Sequence, residues 1–193
     1  MKVRLPLCLM TMAFCAVAVA APVTYEIDAK HTYPSFEADH EDGLSVWRGK
    51  FDRTSGTVVL DKAAGQGTVN IVVDAASVDF GLDVMNKKAR SDEMFDVAKY
   101  PQATYKGKLE GFVDGAPSRV VGELTLHGIT RPLALKIDSF KCMQDRLVKR
   151  EVCGADALAN FDRSDFGINT SKKYGFKMWV TLRIQVQAIQ VKS

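Results

Sequence analysis

From residue 23 onward the hydrophobic pattern of this 193-residue chain repeats every second residue rather than every 3.6. Phe36-Glu37-Ala38-Asp39 alternates apolar with polar. Between Val46 and Asp52, Trp47, Gly49 and Phe51 share one face and Arg48, Lys50 and Asp52 the other. Val69, Ile71 and Val73 oppose Asn70 and Asp74, and Tyr105, Gly107 and Leu109 oppose Thr104, Lys106, Lys108 and Glu110. Leu133, Leu135 and Ile137 likewise oppose Ala134, Lys136 and Asp138. The last run is the longest, with Met178, Val180, Leu182, Ile184, Val186 and Ala188 set against Lys177, Thr181, Arg183, Gln185 and Gln187. Such a chain is a succession of strands, each with one wet and one dry face, and its dry faces must meet in a sandwich or a barrel.

Turn residues fall between these runs at Thr54-Ser55-Gly56, Ala64-Gly65-Gln66-Gly67, Asp114-Gly115-Ala116-Pro117 and His127-Gly128. One segment reads differently. Residues 83–96 (DVMNKKARSDEMFD) are rich in helix formers and predict a short helix or helical loop over one end of the sheet. A single antiparallel barrel of about eight strands fits this order and leaves no open edge. A barrel of that size is either filled by its own side chains or holds one small ligand. The small inward residues Ala38, Gly49, Gly107, Gly122 and Ala188 fit a cavity and fit sharp bends equally well.

The first twenty residues belong to a different kind of sequence. Lys2 and Arg4 precede an apolar run from Leu5 to Ala20, interrupted by Pro6 and Thr11, which ends in Ala18-Val19-Ala20. Charge, greasy run and small-residue site in that order predict a secretory signal cleaved after residue 20, leaving residues 21–193 as one domain. The run is shorter than a spanning helix requires, and the bulky Phe14 before Cys15 disfavours a lipid anchor there. The mature chain is therefore expected in the periplasm, or secreted.

Cleavage removes Cys8 and Cys15 and leaves Cys142 and Cys153 as an even pair in an oxidising compartment, which predicts a disulfide. A thiol metal site is the competing reading, but neither a third Cys nor a His lies near. The chain carries 26 basic and 23 acidic residues, and loss of Lys2 and Arg4 leaves 24 against 23. A charge near +1 gives no electrostatic case for nucleic acid. An outer-membrane barrel would put its apolar residues outward, with aromatic girdles and commonly an aromatic last residue. This chain has two Trp and five Tyr and ends Val191-Lys192-Ser193, so a barrel not integral to a membrane is expected. A nucleophile elbow, an HExxH pair, a phosphate-binding loop and a dinucleotide fingerprint are all missing from the text, so no catalytic residues, metal or cofactor are expected.

Several segments together resemble the YceI-like family of exported lipid-binding proteins. They are Tyr25-Glu26-Ile27-Asp28-Ala29-Lys30-His31-Thr32 to Phe36, Val46-Trp47-Arg48-Gly49-Lys50-Phe51 and Ala76-Ser77-Val78-Asp79-Phe80-Gly81. Ala89-Arg90-Ser91 through Phe95-Asp96-Val97 and Lys99-Tyr100-Pro101-Gln102-Ala103-Thr104-Tyr105 follow. The longest piece runs from Val121-Gly122-Glu123-Leu124 through His127-Gly128 to Arg131-Pro132, and Phe161-Asp162-Arg163-Ser164-Asp165-Phe166-Gly167-Ile168 closes the set. One departure is the run Asn86-Lys87-Lys88-Ala89, where many members have an acidic residue, a histidine and a leucine. The resemblance implies an extended lipocalin-like barrel with a long internal channel. It also implies a bound isoprenoid chain, polyprenyl or quinone-type, no catalytic residues, and a homodimer in many members.

The dry faces supply the candidate lining residues Phe36, Ala38, Trp47, Phe51, Tyr105, Leu109, Leu124, Leu135, Val180 and Leu182. Core packing and ligand contact both fit each of them. Met85, Met94 and Phe95 in the helical segment suit a surface closing over variable apolar ligands, or a satellite core. His40, on the face of Phe36 and Ala38, and Arg90, beside the helical segment, are candidates for a polar head group at the channel mouth. A barrel with a filled core, acting as a stress or interaction module without ligand, is the alternative.

Overall fold

The computed structural model describes residues 21–192; the signal sequence expected over residues 1–20 lies outside them. Eleven strand segments follow in chain order: β1 Val23–Ile27, β2 Tyr33–His40, β3 Ser45–Phe51, β4 Thr54–Asp61, β5 Gln66–Asp74 and β6 Val78–Asp79 precede the helix α1, Asp83–Arg90. After it come β7 Gln102–Glu110, β8 Arg119–Leu126, β9 Ile129–Gln144, β10 Glu151–Asp162 and β11 Trp179–Gln190. The first six segments are three long strands, each interrupted once. β1 and β2 lie end to end along one edge of β11, with Ile27 opposite Ala188 and Val180 opposite Ala38. β3 and β4 break at Asp52–Arg53, and β5 and β6 at Ala75–Ser77. Counted this way, the chain is an eight-stranded antiparallel meander, closed where β11 meets the first strand.

Side-chain hydroxyls stitch the interruptions where the ladder fails. Thr32, almost fully buried, donates to the carbonyl of Gln187 at 3.1 Å and accepts from the Gln187 amide at 3.1 Å, so it stands in for a backbone partner on β11. Ser77 does the same for the second break, its hydroxyl accepting from the Arg53 amide at 3.0 Å. Thr54-Ser55-Gly56, expected as a turn, instead opens β4: the chain bends two residues earlier, and Gly56 pairs within the ladder opposite Ile71. The turns at 114–117 and 127–128 fall where expected, whereas the one expected over Ala64-Gly65-Gln66-Gly67 lies at residues 62–65, with Gln66 and Gly67 already paired in β5. His127 and Gly128, both at positive φ (51° and 74°), form the two-residue connection of the β8–β9 hairpin.

The expected helix is shorter than its composition suggested. It ends at Arg90, and residues 91–101 continue as turns and irregular backbone. Asn86 fixes it to the barrel: its amide oxygen accepts from the Phe80 N–H at 2.7 Å and its amide nitrogen donates to Asp79 at 2.8 Å. Asn86, the first residue of the Asn86-Lys87-Lys88-Ala89 run, is therefore a buried clamp. Cys142 and Cys153 face each other across β9 and β10 and form the expected disulfide.

Three of the small inward residues mark close approach of neighbouring atoms rather than space. Gly107 and Gly122 pair directly across β7 and β8, and a Cβ on Gly122 would lie 2.3 Å from the Lys106 carbonyl oxygen. A Cβ on Gly49 would strike the Phe36 ring at 2.6 Å. Ala38 and Ala188, by contrast, line open space.

Candidate ligand-binding channel

The dry faces do not fill the barrel; they enclose a cavity of about 460 Å³, within the range of small-molecule sites. Its long axis follows β11. Val180, Leu182, Ile184, Val186 and Ala188 all stand on the wall, a run of about 26 Å along the strand at ~3.3 Å per residue. Inward apolar side chains such as Ile71, Ile184 and Phe140 are only half-buried, although they point away from bulk solvent, because one side of each faces the cavity. This geometry is at odds with the filled-core alternative.

One end is sealed. Tyr25, Leu60, Leu109 and Val120 are buried there, and the Tyr25 hydroxyl donates to Glu151, which Lys62 also holds at 2.7 Å. Burial pushes the Tyr25 hydroxyl up, and the Glu151 carboxylate beside it adds to that. Burial pushes Glu151 up as well, but its bonds from Lys62 and Tyr25 outweigh this and hold it below the usual carboxylate range. Cys153 belongs to the same end of the wall. Glu151 stands beside the two sulfurs, but they are bonded to each other and offer no thiolate to a metal.

The other end carries the polar wall residues: Asp39, His40, Lys88, Arg163, Thr170 and Ser171. His40 stacks on Trp47 with ring centroids 4.7 Å apart and meets Phe176 edge-on at 5.5 Å, so an aromatic cluster frames this mouth. Below it, Phe36 touches Phe51 and Phe80 at 5.6 and 5.4 Å, and Phe95 meets Phe51 at 5.5 Å. Met85 and Met94 pack into the same cluster from α1 and the turn after it.

The structure thus brings Phe36, Ala38, Trp47, Phe51, Met85, Met94, Phe95, Tyr105, Leu109, Leu124, Leu135, Val180 and Leu182 onto one wall, with His40 at the mouth. Arg90 is the exception. It lies off the wall, where its charge helps to hold the Asp79 carboxyl low behind the Asn86 and Gly81 hydrogen bonds. Helical phase explains this, since Lys88 and Arg90 are two positions apart and face differently, and Lys88 is the one on the wall. Sequence reasoning passed over Ile71, Ile137, Ile184 and Val186, which the alternation already placed on dry faces. It also passed over Phe80, Phe161, Phe176 and Thr170, most of which lie in connections where no periodicity marks the inward side. It could weigh Arg163 only as one of several cations in connections that would meet a head group if they converged at the mouth.

A closed meander around an elongated apolar cavity, sealed at one end and polar at the other, defines a lipocalin-like binding barrel. The YceI-like domain profile matches residues 25–188, and the chain belongs to that family. It is 34% identical over 183 residues to UPF0312 protein VPA0850 of Vibrio parahaemolyticus, across 91% of this chain and 94% of that protein. It is 30% identical over 176 residues to Protein YceI of Escherichia coli, across 91% and 90%. The barrel superposes on BcnA of Burkholderia cenocepacia with a TM-score of 0.64 at 20% identity, covering 83% of this chain and 98% of that one. On a polyisoprenoid binding domain from Saccharophagus degradans the TM-score is 0.63 at 18% identity, with 88% and 99% covered. At such identities these likenesses establish the fold alone.

Proposed function

We propose that this protein binds a long apolar isoprenoid-type lipid, a polyprenyl or quinone-like tail, inside the barrel and carries or buffers it outside the cytoplasm. The observation that carries this reading is the cavity running along the dry face of β11. A tail laid there leaves water at about 0.8 kcal/mol per methylene-sized group, and an apolar wall needs no further chemistry to hold it. The polyisoprenoid binding domain of Saccharophagus degradans, which shares the fold, supports the ligand class. The signal-like text of residues 1–20 and the Cys142–Cys153 disulfide support a periplasmic or secreted location. The reading is one of binding rather than catalysis.

Trp47 offers a direct test because it stands on the wall, whereas Trp179 is 62% exposed on the outside. In a Trp179→Phe variant, titration of delipidated protein with a polyprenol should change Trp47 emission saturably, near one equivalent. An emission that never changes, or drifts without saturating, would overturn the proposal.

A further inference from the structure

Among the described residues Arg163 is the one buried Lys or Arg side chain. It is 9% exposed and stands on the cavity wall at the polar end. Its backbone is fixed from three sides. The Arg163 amide donates to Met178 at 2.9 Å, its carbonyl accepts from Ile168 at 3.1 Å, and Gly167 at φ 76° closes the turn. The guanidinium, however, makes one hydrogen bond to protein, from Nη2 to the Thr170 carbonyl at 2.8 Å. Among the described residues Nε and Nη1 have no partner. Asp162 and Asp39 are close enough for their charges to favour the cation, yet neither forms an ion pair with it, and one oxygen of each is turned to another partner. Asp162 accepts from the Ser164 amide and hydroxyl, and Asp39 from the Lys177 amide at 2.9 Å.

The guanidinium is largely buried beside an apolar cavity, yet its unpartnered N–H groups keep accessible surface, so an acceptor entering the mouth can reach them and offset the cost of burying the charge. We propose that Arg163 anchors the head group of the bound lipid, its free N–H groups donating to a carbonyl or phosphate oxygen at the polar end of an isoprenoid chain. This rests on the isoprenoid reading above and adds a selectivity to it. The apolar wall accepts any tail of fitting length, and Arg163 favours tails that end in an acceptor oxygen. Lys88, on the same stretch of wall, adds positive charge, while Asp39 limits how much negative charge the mouth accepts.

The test compares three ligands of equal chain length: a polyprenyl phosphate, a polyprenyl quinone and the plain polyprene hydrocarbon. The wild-type protein should hold at least one oxygen-bearing ligand about tenfold or more tighter than the hydrocarbon, as charge-assisted hydrogen bonds do. Which of the two is preferred tells a phosphate anchor from a carbonyl anchor. Arg163→Met should bring the two oxygen-bearing ligands down to the affinity that the same variant shows for the hydrocarbon. Because Arg163→Met also loses the Thr170 bond, the wild-type protein supplies an independent readout. The NMR resonance of the Arg163 Nε–H should move with the preferred oxygen-bearing ligand and stay put with the hydrocarbon. Equal wild-type affinity for all three ligands, or an unmoved resonance, would overturn the anchor and leave the isoprenoid reading standing. Failure of all three to bind would overturn both.

Discussion

The hydroxyl of Tyr105 on β7 donates to the carbonyl of Leu133 on β9 at 2.8 Å, reaching past the intervening strand β8. The bond ties β7 to β9 across the strand that lies between them in the sheet. Burial pushes the Tyr105 hydroxyl well above its ordinary value near 10. A raised folded-state value means that the neutral hydroxyl stabilises the fold fully below about pH 10, and that this is lost as pH rises further. Tyr105→Phe should cost about 1–2 kcal/mol at neutral pH, read by urea unfolding. It should also flatten part of the alkaline loss of stability, and Tyr25, whose hydroxyl is raised as well, contributes to what remains. An unchanged urea midpoint would show that the bond contributes nothing.

The glycine pair across β7 and β8 gives a second prediction. Gly122→Ala would put a Cβ 2.3 Å from the Lys106 carbonyl oxygen and 2.7 Å from the Gly107 Cα, so the β7–β8 ladder must open. The expected cost is about 1–3 kcal/mol. Gly154→Ala is the control, since its Cβ would meet nothing nearer than 3.6 Å. That substitution should be neutral or stabilise by up to about 1 kcal/mol through the unfolded chain. Thermal melts of the two variants settle whether close approach, rather than glycine as such, matters.

The disulfide should act on stability and leave binding alone. It closes a loop of sequence separation 11, worth about 3 kcal/mol in the chain-entropy model. The double variant Cys142→Ser/Cys153→Ser should therefore melt lower while keeping its polyprenol affinity, because one cystine is a small part of the wall. Isothermal titration below the melting range reads the affinity directly.

Much of this architecture is legible in the sequence, for a definite reason. A strand buried on one face must alternate, so Leu133, Leu135 and Ile137, or Val180 through Ala188, announce their inward side without any structure. Where the period fails, so does the reading. A register irregularity at Asp156/Ala157, opposite Ser139 and Ile137, shifts the phase of β9 and turns Phe140 inward. Gly56 resembled a turn residue because glycine permits the φ of 137° it adopts, yet that conformation sits inside a strand. Alternation also cannot separate a filled barrel from a hollow one, since both need the same dry face. Arg163 was legible only as one of several cations in connections, with nothing to say which of them reaches the mouth. A cation in a turn is ordinarily solvated, and only the folded chain shows that this turn folds inward.

Enlarging a small wall residue should separate ligand contact from core packing. Ala155 is half-buried on the wall, opposite Phe140 on β9 and Val186 on β11. Ala155→Phe would send its ring into the cavity rather than into packed neighbours. Stability should stay within about 1 kcal/mol of wild type, whereas overpacking a filled core costs about 1–3 kcal/mol. Polyprenol affinity should fall at least about tenfold, the equivalent of 1.4 kcal/mol. A variant that is strongly destabilised yet binds normally would place the ligand elsewhere.

The most direct measurement is native mass spectrometry of the protein isolated from its own cells, followed by organic extraction and identification of whatever it carries. One long-chain isoprenoid per barrel, released on denaturation, is the predicted result. A protein that emerges without lipid and takes up no polyprenyl ligand afterwards would contradict the account.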